Sequence, residues 1–375
     1  MGPRPGGTLV LLSGGRTVIT PEDVRRLYQA FGQQKPMGNS APTTTQPHYF
    51  LLRTFHGEND LLVILNTKRC RYRCFFCQLP AKSSPYFIPG EDILAQFSYV
   101  LHEAKHALSI LDRVTLSNEG SVLDAVTLPR EALLQIARCV HELRRVRRLV
   151  LETRLEFVDP AFIQQIKDAA PRVTINFLTG FETYTPFIRD EILGKREPLQ
   201  QFEQGLDRVA ASGADLSAYV LYKPVPEMTD AEAFAEADRT ICYLREQCAR
   251  RGIRLSVRLN PMYVARGSRW ARRAATLPQY RPPRLTDIMR LAEKHAVEGL
   301  RVYIGMSTEG LDEPNGSYTS REDYSPALIK PVKLFNDCKI VRFDWTALGL
   351  PERPEWHDQP VAPAVAWPEL ALTAS

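Results

Sequence analysis

The 375-residue sequence lacks any apolar run that approaches the roughly 18–20 residues needed to span a bilayer. The short apolar run near its start, residues 8–13, is too brief for a secretion signal. Its seven cysteines are an odd number and most are scattered, so they do not resemble the disulfide framework of a secreted protein. These absences predict a protein of the reducing cytoplasm with no membrane partner.

A large excess of one charge is also missing. The chain has 48 Lys and Arg residues against 43 Asp and Glu residues, for a formal net charge of +5. This mild basicity fits an anionic substrate or a nucleic acid without requiring either. The hydrophobic content of 44% and the charged content of 24% are those of a soluble globular protein. A chain of this length forms either one large α/β barrel or two ordinary domains.

Three clustered cysteines form the most informative motif. Residues 61–65 are apolar and predict a buried strand, and the loop that follows carries Cys70, Cys74 and Cys77 at the spacing C-x3-C-x2-C. Thiolates are soft ligands that suit iron–sulfur clusters or zinc. Three cysteines leave one metal position open, which is a feature of catalytic rather than structural sites. The alternative is a non-catalytic zinc or iron–sulfur binding module, completed by a distant His or Cys.

The other histidines and cysteines lack such spacing. His102 and His106 are four residues apart, but no acidic third ligand lies near them, so we interpret them as surface residues of a helix. Cys338 has no partner in the sequence, and we interpret it as an inert thiol.

Strand and helix patterns alternate from residue 60 onward. The predicted strands cover residues 61–66, 112–117, 148–154, 172–178, 214–221, 253–259 and 300–305. Helix patterns between them imply parallel strands joined by crossover helices. The expected fold class is α/β, a partial or full (β/α) TIM-type barrel over residues 49–305. Residues 1–48 are expected to form an arm with a short helix, and residues 306–375 an irregular C-terminal extension that acts as a lid or tail.

Polar residues break the apolar pattern where the predicted strands end, and these ends carry the chemistry of a parallel barrel. Gly120 follows the second strand, where a glycine lets the backbone approach a ligand closely. Glu152 and Arg154 share one face of the third strand, and the alternative to a ligand role is that they pair with each other. Glu182 follows the fourth strand. Weaker candidates for the substrate side are Tyr222, Lys223 and Asn260, together with a basic stretch over residues 266–273.

The cysteine motif after a first strand, with Phe76 directly before Cys77, resembles the radical S-adenosylmethionine (SAM) superfamily. Within it, five further segments resemble the group related to the Elongator catalytic subunit and to the archaeosine-forming tRNA enzyme. These segments are Glu152-Thr-Arg154, Gly180-Phe-Glu182-Thr, Leu221-Tyr-Lys223-Pro224, Asn260-Pro261 with Arg266-Gly267, and Tyr280-Arg-Pro-Pro283.

This resemblance implies a [4Fe-4S] cluster on the three cysteines and SAM on the open iron. It implies SAM contacts at Phe76, Gly120, Glu152, Arg154 and Glu182, and an external electron donor of the flavodoxin or ferredoxin type. The expected reaction is reductive cleavage of SAM to a carbon radical that modifies a small molecule, of the natural-product type. The alternatives are transfer of the 3-amino-3-carboxypropyl group of SAM and modification of a tRNA base of the archaeosine type. A small-molecule substrate is preferred because the terminal segments show no RNA-binding module.

Overall fold

The structure is a computed structural model that describes residues 43–72, 74–77, 83–118, 120–262, 264–265, 269–277, 280–305, 317–318 and 325–354. The predicted N-terminal helix, Arg266, Gly267 and the tail from residue 355 lie outside these residues. In the described residues no helix is long and apolar enough to cross a membrane.

Eight strands form one curled sheet in the order β1-β2-β3-β4-β5-β6-β7-β9. Their bounds are β1 Tyr49–Phe55, β2 Glu58–Ile64, β3 Arg113–Ser117, β4 Arg148–Glu152, β5 Thr174–Glu182, β6 Asp215–Tyr222, β7 Leu255–Pro261 and β9 Arg301–Ile304. A short pair, β8 (Val264–Ala265) and β10 (Ser317–Tyr318), stands apart. All neighbours in the large sheet are parallel except β1, which runs antiparallel to β2. The ring of Phe55 in β1 stacks on Tyr303 in β9 at 4.3 Å, so the two edge strands approach each other at one end. The fold is therefore a half-barrel, which confirms the predicted α/β class.

Helices cover one face of this sheet. They are α1 Gly90–Glu103, α2 Arg130–Glu142, α3 Pro160–Ala169, α4 Leu199–Ala211, α5 Asp230–Arg250, α6 Arg269–Ala275, α7 Leu285–Val297 and α8 Pro326–Asn336. Alternation along each strand sorts the side chains between the two faces. In β3, Val114 and Leu116 join the hydrophobic core with the helices. Thr115, between them, instead donates to the Asp60 carboxylate at 2.8 Å on the interior face of the barrel.

Two local signals in the sequence explain how helices begin. Asp159 precedes α3 and accepts a hydrogen bond from the backbone N–H of Ala161, and Pro160 occupies the first turn. Thr229 and Glu232 form a reciprocal capping box at the start of α5. These caps satisfy backbone donors that a helix start otherwise leaves without partners.

Within the predicted C-terminal extension, residues 326–336 form α8. Asn336 at its end accepts from the backbone N–H of Ile304 and donates to the Ile304 carbonyl, both at 2.8 Å. These bonds attach α8 to the edge strand β9. The prolines that suggested irregularity lie at the first helical position, Pro326, and inside the helix, Pro331. The predicted boundaries of the arm and the C-terminal extension stay predictions.

Candidate cluster and cofactor site

The cysteine loop leaves the carboxyl end of β2 between two anchored points. Leu65 donates its backbone N–H to the carbonyl of Ser117, next to the end of β3, at 2.8 Å. Gln96 of α1 then accepts from the backbone N–H of Asn66 at 2.8 Å and donates to the Asn66 carbonyl at 2.9 Å. Asn66 and Gln96 are both fully buried. The start of the loop is therefore fixed by a side chain from the nearest helix.

The rest of the loop is held by backbone hydrogen bonds. Arg69 donates to the carbonyl of Ser84 at 2.8 Å, and Ser84 donates to the carbonyl of Thr67 at 3.0 Å. Phe75 donates to the carbonyl of Leu193, in the segment between β5 and α4, at 2.7 Å. The loop thus contacts both its own strand and a distant part of the barrel rim.

Gly120 lies directly against Cys70. A Cβ added to Gly120 would be 3.1 Å from the Cys70 Cβ and 3.6 Å from its Sγ. The turn that holds Gly120 continues into hydrogen bonds with the end of β4, since Val122 donates to the carbonyl of Glu152 at 2.9 Å. The structure therefore brings the predicted residues Cys70, Gly120 and Glu152 together at the carboxyl ends of β2, β3 and β4.

The cysteines have the chemical properties that a cluster requires. None of the three forms a disulfide, and all are partly exposed. Burial raises the pKa of the Cys70 and Cys74 thiols, whereas Lys195 and Arg154 oppose this shift. Metal binding therefore releases protons from these thiols, and the two cations favour the thiolate form.

The loop offers three thiols as ligands, a donor set that suits an iron–sulfur cluster with one metal position open. Among the described residues, Asp238, Cys242 and His295 also bring three possible ligand atoms close to one another.

Arg154 does not pair with Glu152, contrary to the alternative expectation. Its Nε donates to Glu156 at 2.6 Å, and its other nitrogens donate to the carbonyls of Lys195 at 2.9 Å and Arg196 at 3.2 Å. Strand β4 ends at Glu152, so strand alternation no longer applies at Arg154. The guanidinium is buried and braces the cysteine side of the barrel rim. Its role as a SAM contact stays a prediction.

Glu182 ends β5 in a strained backbone conformation, with φ of 74°. The register with β6 shifts between Gly180 and Glu182, and the carboxylate folds back over Gly180. A Cβ on Gly180 would lie 2.1 Å from Glu182 Oε1, so a larger residue there would displace this carboxylate. Burial raises the pKa of Glu182, and Lys195, 3.8 Å from its Oε1, opposes the shift.

The other predicted residue, Phe76, is half-buried and packs against the core.

Two residues of this rim, Lys195 and Glu197, are not predicted by the sequence pattern. Arg189 donates to Glu197 Oε2 at 2.7 Å, and Lys195 Nζ lies 3.5 Å from the same oxygen. Burial opposes ionisation, yet Lys195, Arg189 and Arg154 hold the pKa of Glu197 below its usual value. No short motif signals this arrangement, because the partners come from three separate segments.

The substrate-side candidates separate in the structure. Asn260 is the last residue of β7 whose side chain faces the interior of the barrel. It lies over Gly305, and a Cβ added to Gly305 would be 2.1 Å from Asn260 Oδ1. Lys223 forms a 2.9 Å ion pair with Asp230 and is buried. Tyr222 belongs to the core between sheet and helices, and burial raises its pKa well above its usual value. Of these three, Asn260 lies on the interior face of the barrel.

The group of Asp238, Cys242 and His295 lies between α5 and α7. His295 Nε2 is 2.9 Å from Asp238 Oδ1, and Lys294 Nζ is 2.8 Å from both oxygens of the same carboxylate. The Lys294 cation already neutralises Asp238. We therefore interpret the group as a salt-bridge network rather than a metal site.

Comparisons with known proteins found one family model and several relatives that the chain resembles. Residues 64–238 match the family model of the radical SAM superfamily. An uncharacterized protein of Methanocaldococcus jannaschii, MJ0550, is 25% identical over 286 residues, which cover 75% of this chain and 76% of that protein. Archaeosine synthase subunit beta of Thermococcus kodakarensis is 26% identical over 176 residues, which cover 44% of this chain and 52% of that protein.

Two solved structures resemble the chain at 14% identity. SuiB of Streptococcus suis, bound to S-adenosylmethionine, has a TM-score of 0.46 over 67% of this chain and 51% of its own. The radical SAM methyltransferase TsrM of Kitasatospora setae, with cobalamin and a [4Fe-4S] cluster, has a TM-score of 0.38 over 55% of this chain and 37% of its own. The match spans about half the length of archaeosine synthase subunit beta and of SuiB. Residues 64–238 of this chain are therefore similar to the radical SAM superfamily.

Proposed function

We propose that this protein is a radical SAM enzyme that reductively cleaves SAM and uses the resulting carbon radical to modify a small molecule. The observation that carries the proposal is the anchored loop of Cys70, Cys74 and Cys77 at the carboxyl rim of a half-barrel, with Gly120 against Cys70. The match of residues 64–238 to the radical SAM family model supports the same chemistry. The cofactors are a [4Fe-4S] cluster and SAM, and the protein is an enzyme located in the cytoplasm.

The residues of the rim suit this role. Cys70, Cys74 and Cys77 hold the cluster, which when bound supplies the electron that cleaves a carbon–sulfur bond of SAM. Gly120 keeps the rim free of a side chain beside Cys70. Phe76 shields the loop from water as part of the core edge. The protein thus contributes binding, orientation and exclusion of water, while the cofactors carry the difficult step.

Three further side chains and an electron donor complete this assignment. Glu152 and Glu182 offer acceptors to the amino or ribose groups of SAM. Arg154 offers its remaining N–H groups to the SAM carboxylate. An external donor of the flavodoxin or ferredoxin type supplies the electron to the cluster.

A second candidate function is modification of a tRNA base. The observation that favours it is the similarity over 176 residues to archaeosine synthase subunit beta. The basic stretch near residue 270 lends less support than its sequence suggested. Arg273 is buried and its Nε donates to Glu227 at 2.7 Å, which removes this cation from contact with a phosphate.

The decisive experiment is anaerobic reconstitution with iron and sulfide, followed by dithionite reduction in the presence of SAM and chromatography of the products. Methionine and 5′-deoxyadenosine are the expected products. Appearance of 5′-methylthioadenosine would instead assign the 3-amino-3-carboxypropyl transfer reaction. Absence of SAM cleavage by a protein with a full complement of iron and sulfide would refute the proposal.

The matched control is Cys77→Ala. This variant is expected to retain the fold, because Cys77 is partly exposed and lies in a loop, and to lose cluster binding and SAM cleavage. Circular dichroism and metal analysis check the two halves of this expectation. Unfolding of Cys77→Ala, together with stoichiometric zinc in the wild-type protein, would support the non-catalytic binding module.

A further inference from the structure

A buried group of charges lies beside the cysteine loop. Its cations are Arg154, Arg189 and Lys195, and its carboxylates are Glu156, Glu182 and Glu197. With every member ionised, three positive charges balance three negative ones. Removal of one cation would leave this group with a net negative charge. Because the region has a low dielectric constant, that charge would interact strongly with other charges nearby.

The segment that carries Lys195 contacts the cysteine loop directly. Leu193, two residues before it, accepts the backbone hydrogen bond from Phe75, which follows Cys74. The Lys195 carbonyl accepts from Arg154, whose guanidinium lies 3.8 Å from the ring centroid of Tyr72, two residues before Cys74. The Lys195 segment is therefore attached to the loop at two points, through the Leu193 carbonyl and through the Lys195 carbonyl.

Lys195 differs from the two arginines in its pairing. Arg154 and Arg189 each form a close ion pair, at 2.6 Å to Glu156 and 2.7 Å to Glu197. The Lys195 ammonium lies between two carboxylates at longer distances, 3.8 Å from Glu182 and 3.5 Å from Glu197. Its side chain is 5% exposed, so water does little to screen its charge. Among the three cations it is the least neutralised by a single partner.

We propose that Lys195 is a positioning residue that raises the reduction potential of the cluster held by Cys70, Cys74 and Cys77. The inference rests on the proposed function, since it needs the cluster. Reduction moves one electron from the external donor to the cluster, which gains one negative charge while the donor is oxidised. A fixed cation beside the thiolates stabilises the more negative, reduced form. Lys195 thereby makes the cluster easier for its donor to reduce.

The test is a redox titration of the reconstituted protein followed by electron paramagnetic resonance, without SAM. Lys195→Met is expected to lower the equilibrium constant for reduction about tenfold, or about 59 mV for a one-electron couple. Glu197→Gln removes a negative charge from the same group and is expected to shift the potential in the opposite direction. The double variant Lys195→Met/Glu197→Gln restores neutrality and is expected to return the potential toward the wild-type value. Lys105→Met, which removes an exposed lysine after α1, is the control.

Each result has a defined meaning. Shifts of opposite sign in the two single variants and a return in the double variant support an electrostatic role. Equal potentials, or shifts of the same sign in both single variants, overturn it. If Lys195→Met fails to assemble a cluster, the reduction potential of Glu197→Gln is compared with that of the wild-type protein instead. An unchanged or lowered potential in Glu197→Gln refutes the proposal. Failure of the wild-type protein to bind a cluster refutes the proposed function itself, whereas normal SAM cleavage with unmoved potentials refutes only the role of Lys195.

Discussion

Gly120 and Cys70 face each other so closely that a Cβ on Gly120 would lie 3.1 Å from the Cys70 Cβ. The residues are 50 positions apart in the sequence, and they meet because β2 and β3 are parallel neighbours whose carboxyl ends adjoin. The contact makes residue 120 a direct test of the cluster site. A Cβ here requires its neighbours to shift by a few tenths of an ångström, and a larger side chain requires a larger shift.

We expect Gly120→Val to lower the iron and sulfide bound per chain at least several-fold after reconstitution, because its methyl groups would push Cys70 from its position. Gly120→Ala is expected to have a smaller effect in the same direction. Chemical analysis of iron and sulfide measures both. Gly90→Ala is the control, because its added Cβ would meet its nearest neighbour at an ordinary 3.5 Å. Full cluster content in Gly120→Val would show that this turn does not shape the site.

The sequence pattern predicted the half-barrel well because its strands and helices are long and regular. Helix α7, Leu285–Val297, lies between the predicted strands 253–259 and 300–305, where a helix pattern is expected, since its apolar residues repeat at helical spacing. The end of β5 lies beyond the prediction, because a register shift at Gly180 extends the strand to Glu182. Alternation cannot reveal a shift of this kind, which depends on how β5 meets β6.

The site was predictable where it is local in sequence and unpredictable where it is assembled across segments. The cysteine motif lies within eight residues and needed no structure to recognise. The partner of Arg154 is Glu156 rather than Glu152, because the chain turns into a short 3-10 helix, Leu155–Phe157, after β4 ends. The pairing of Lys195 with Glu182 depends on the fold of the β5–α4 segment, which no motif marks.

Substitution of Asn336 tests whether the attachment of α8 to β9 stabilises the barrel. Its amide makes two hydrogen bonds with the backbone of Ile304 and is buried. Asn336→Ala leaves both backbone groups of the edge strand without these partners, and we expect the free energy of unfolding to fall by about 1–3 kcal/mol. Urea denaturation measures this change. Lys333→Ala, on the exposed side of the same helix, is expected to change stability by no more than about 0.5 kcal/mol.

His56 predicts a pH dependence of stability. Burial, followed by the charges of Arg113, Arg301 and other nearby arginines, lowers the pKa of His56 to about 3. The folded protein therefore binds fewer protons than the unfolded chain between pH 6.5 and 3. The contribution of neutral His56 to the free energy of unfolding is fully present above pH 6.5. It is lost as the pH falls, by at most about 1.4 kcal/mol per pH unit.

The matched variant is His56→Asn, since asparagine tolerates the positive φ of 52° at this position. Between pH 7 and pH 5.5, the cluster-free wild-type protein is expected to lose about 1 kcal/mol more than the variant. Urea denaturation at the two pH values provides the comparison. An equal loss in both proteins would show that His56 is not the source of the acid sensitivity.

The choice between a small molecule and tRNA can be made by measuring how binding responds to salt. A protein that neutralises several phosphates loses affinity steeply as salt rises, because it releases the counterions of the nucleic acid. The net charge of +5 is small, and Arg273 is committed to Glu227 inside the protein. We therefore expect binding of bulk tRNA to be weak at 50 mM salt and absent at 200 mM, as measured by fluorescence anisotropy. Retention of tight binding to a particular tRNA at 200 mM salt would instead favour the archaeosine type of reaction, because only contacts beyond the phosphates preserve affinity under that condition.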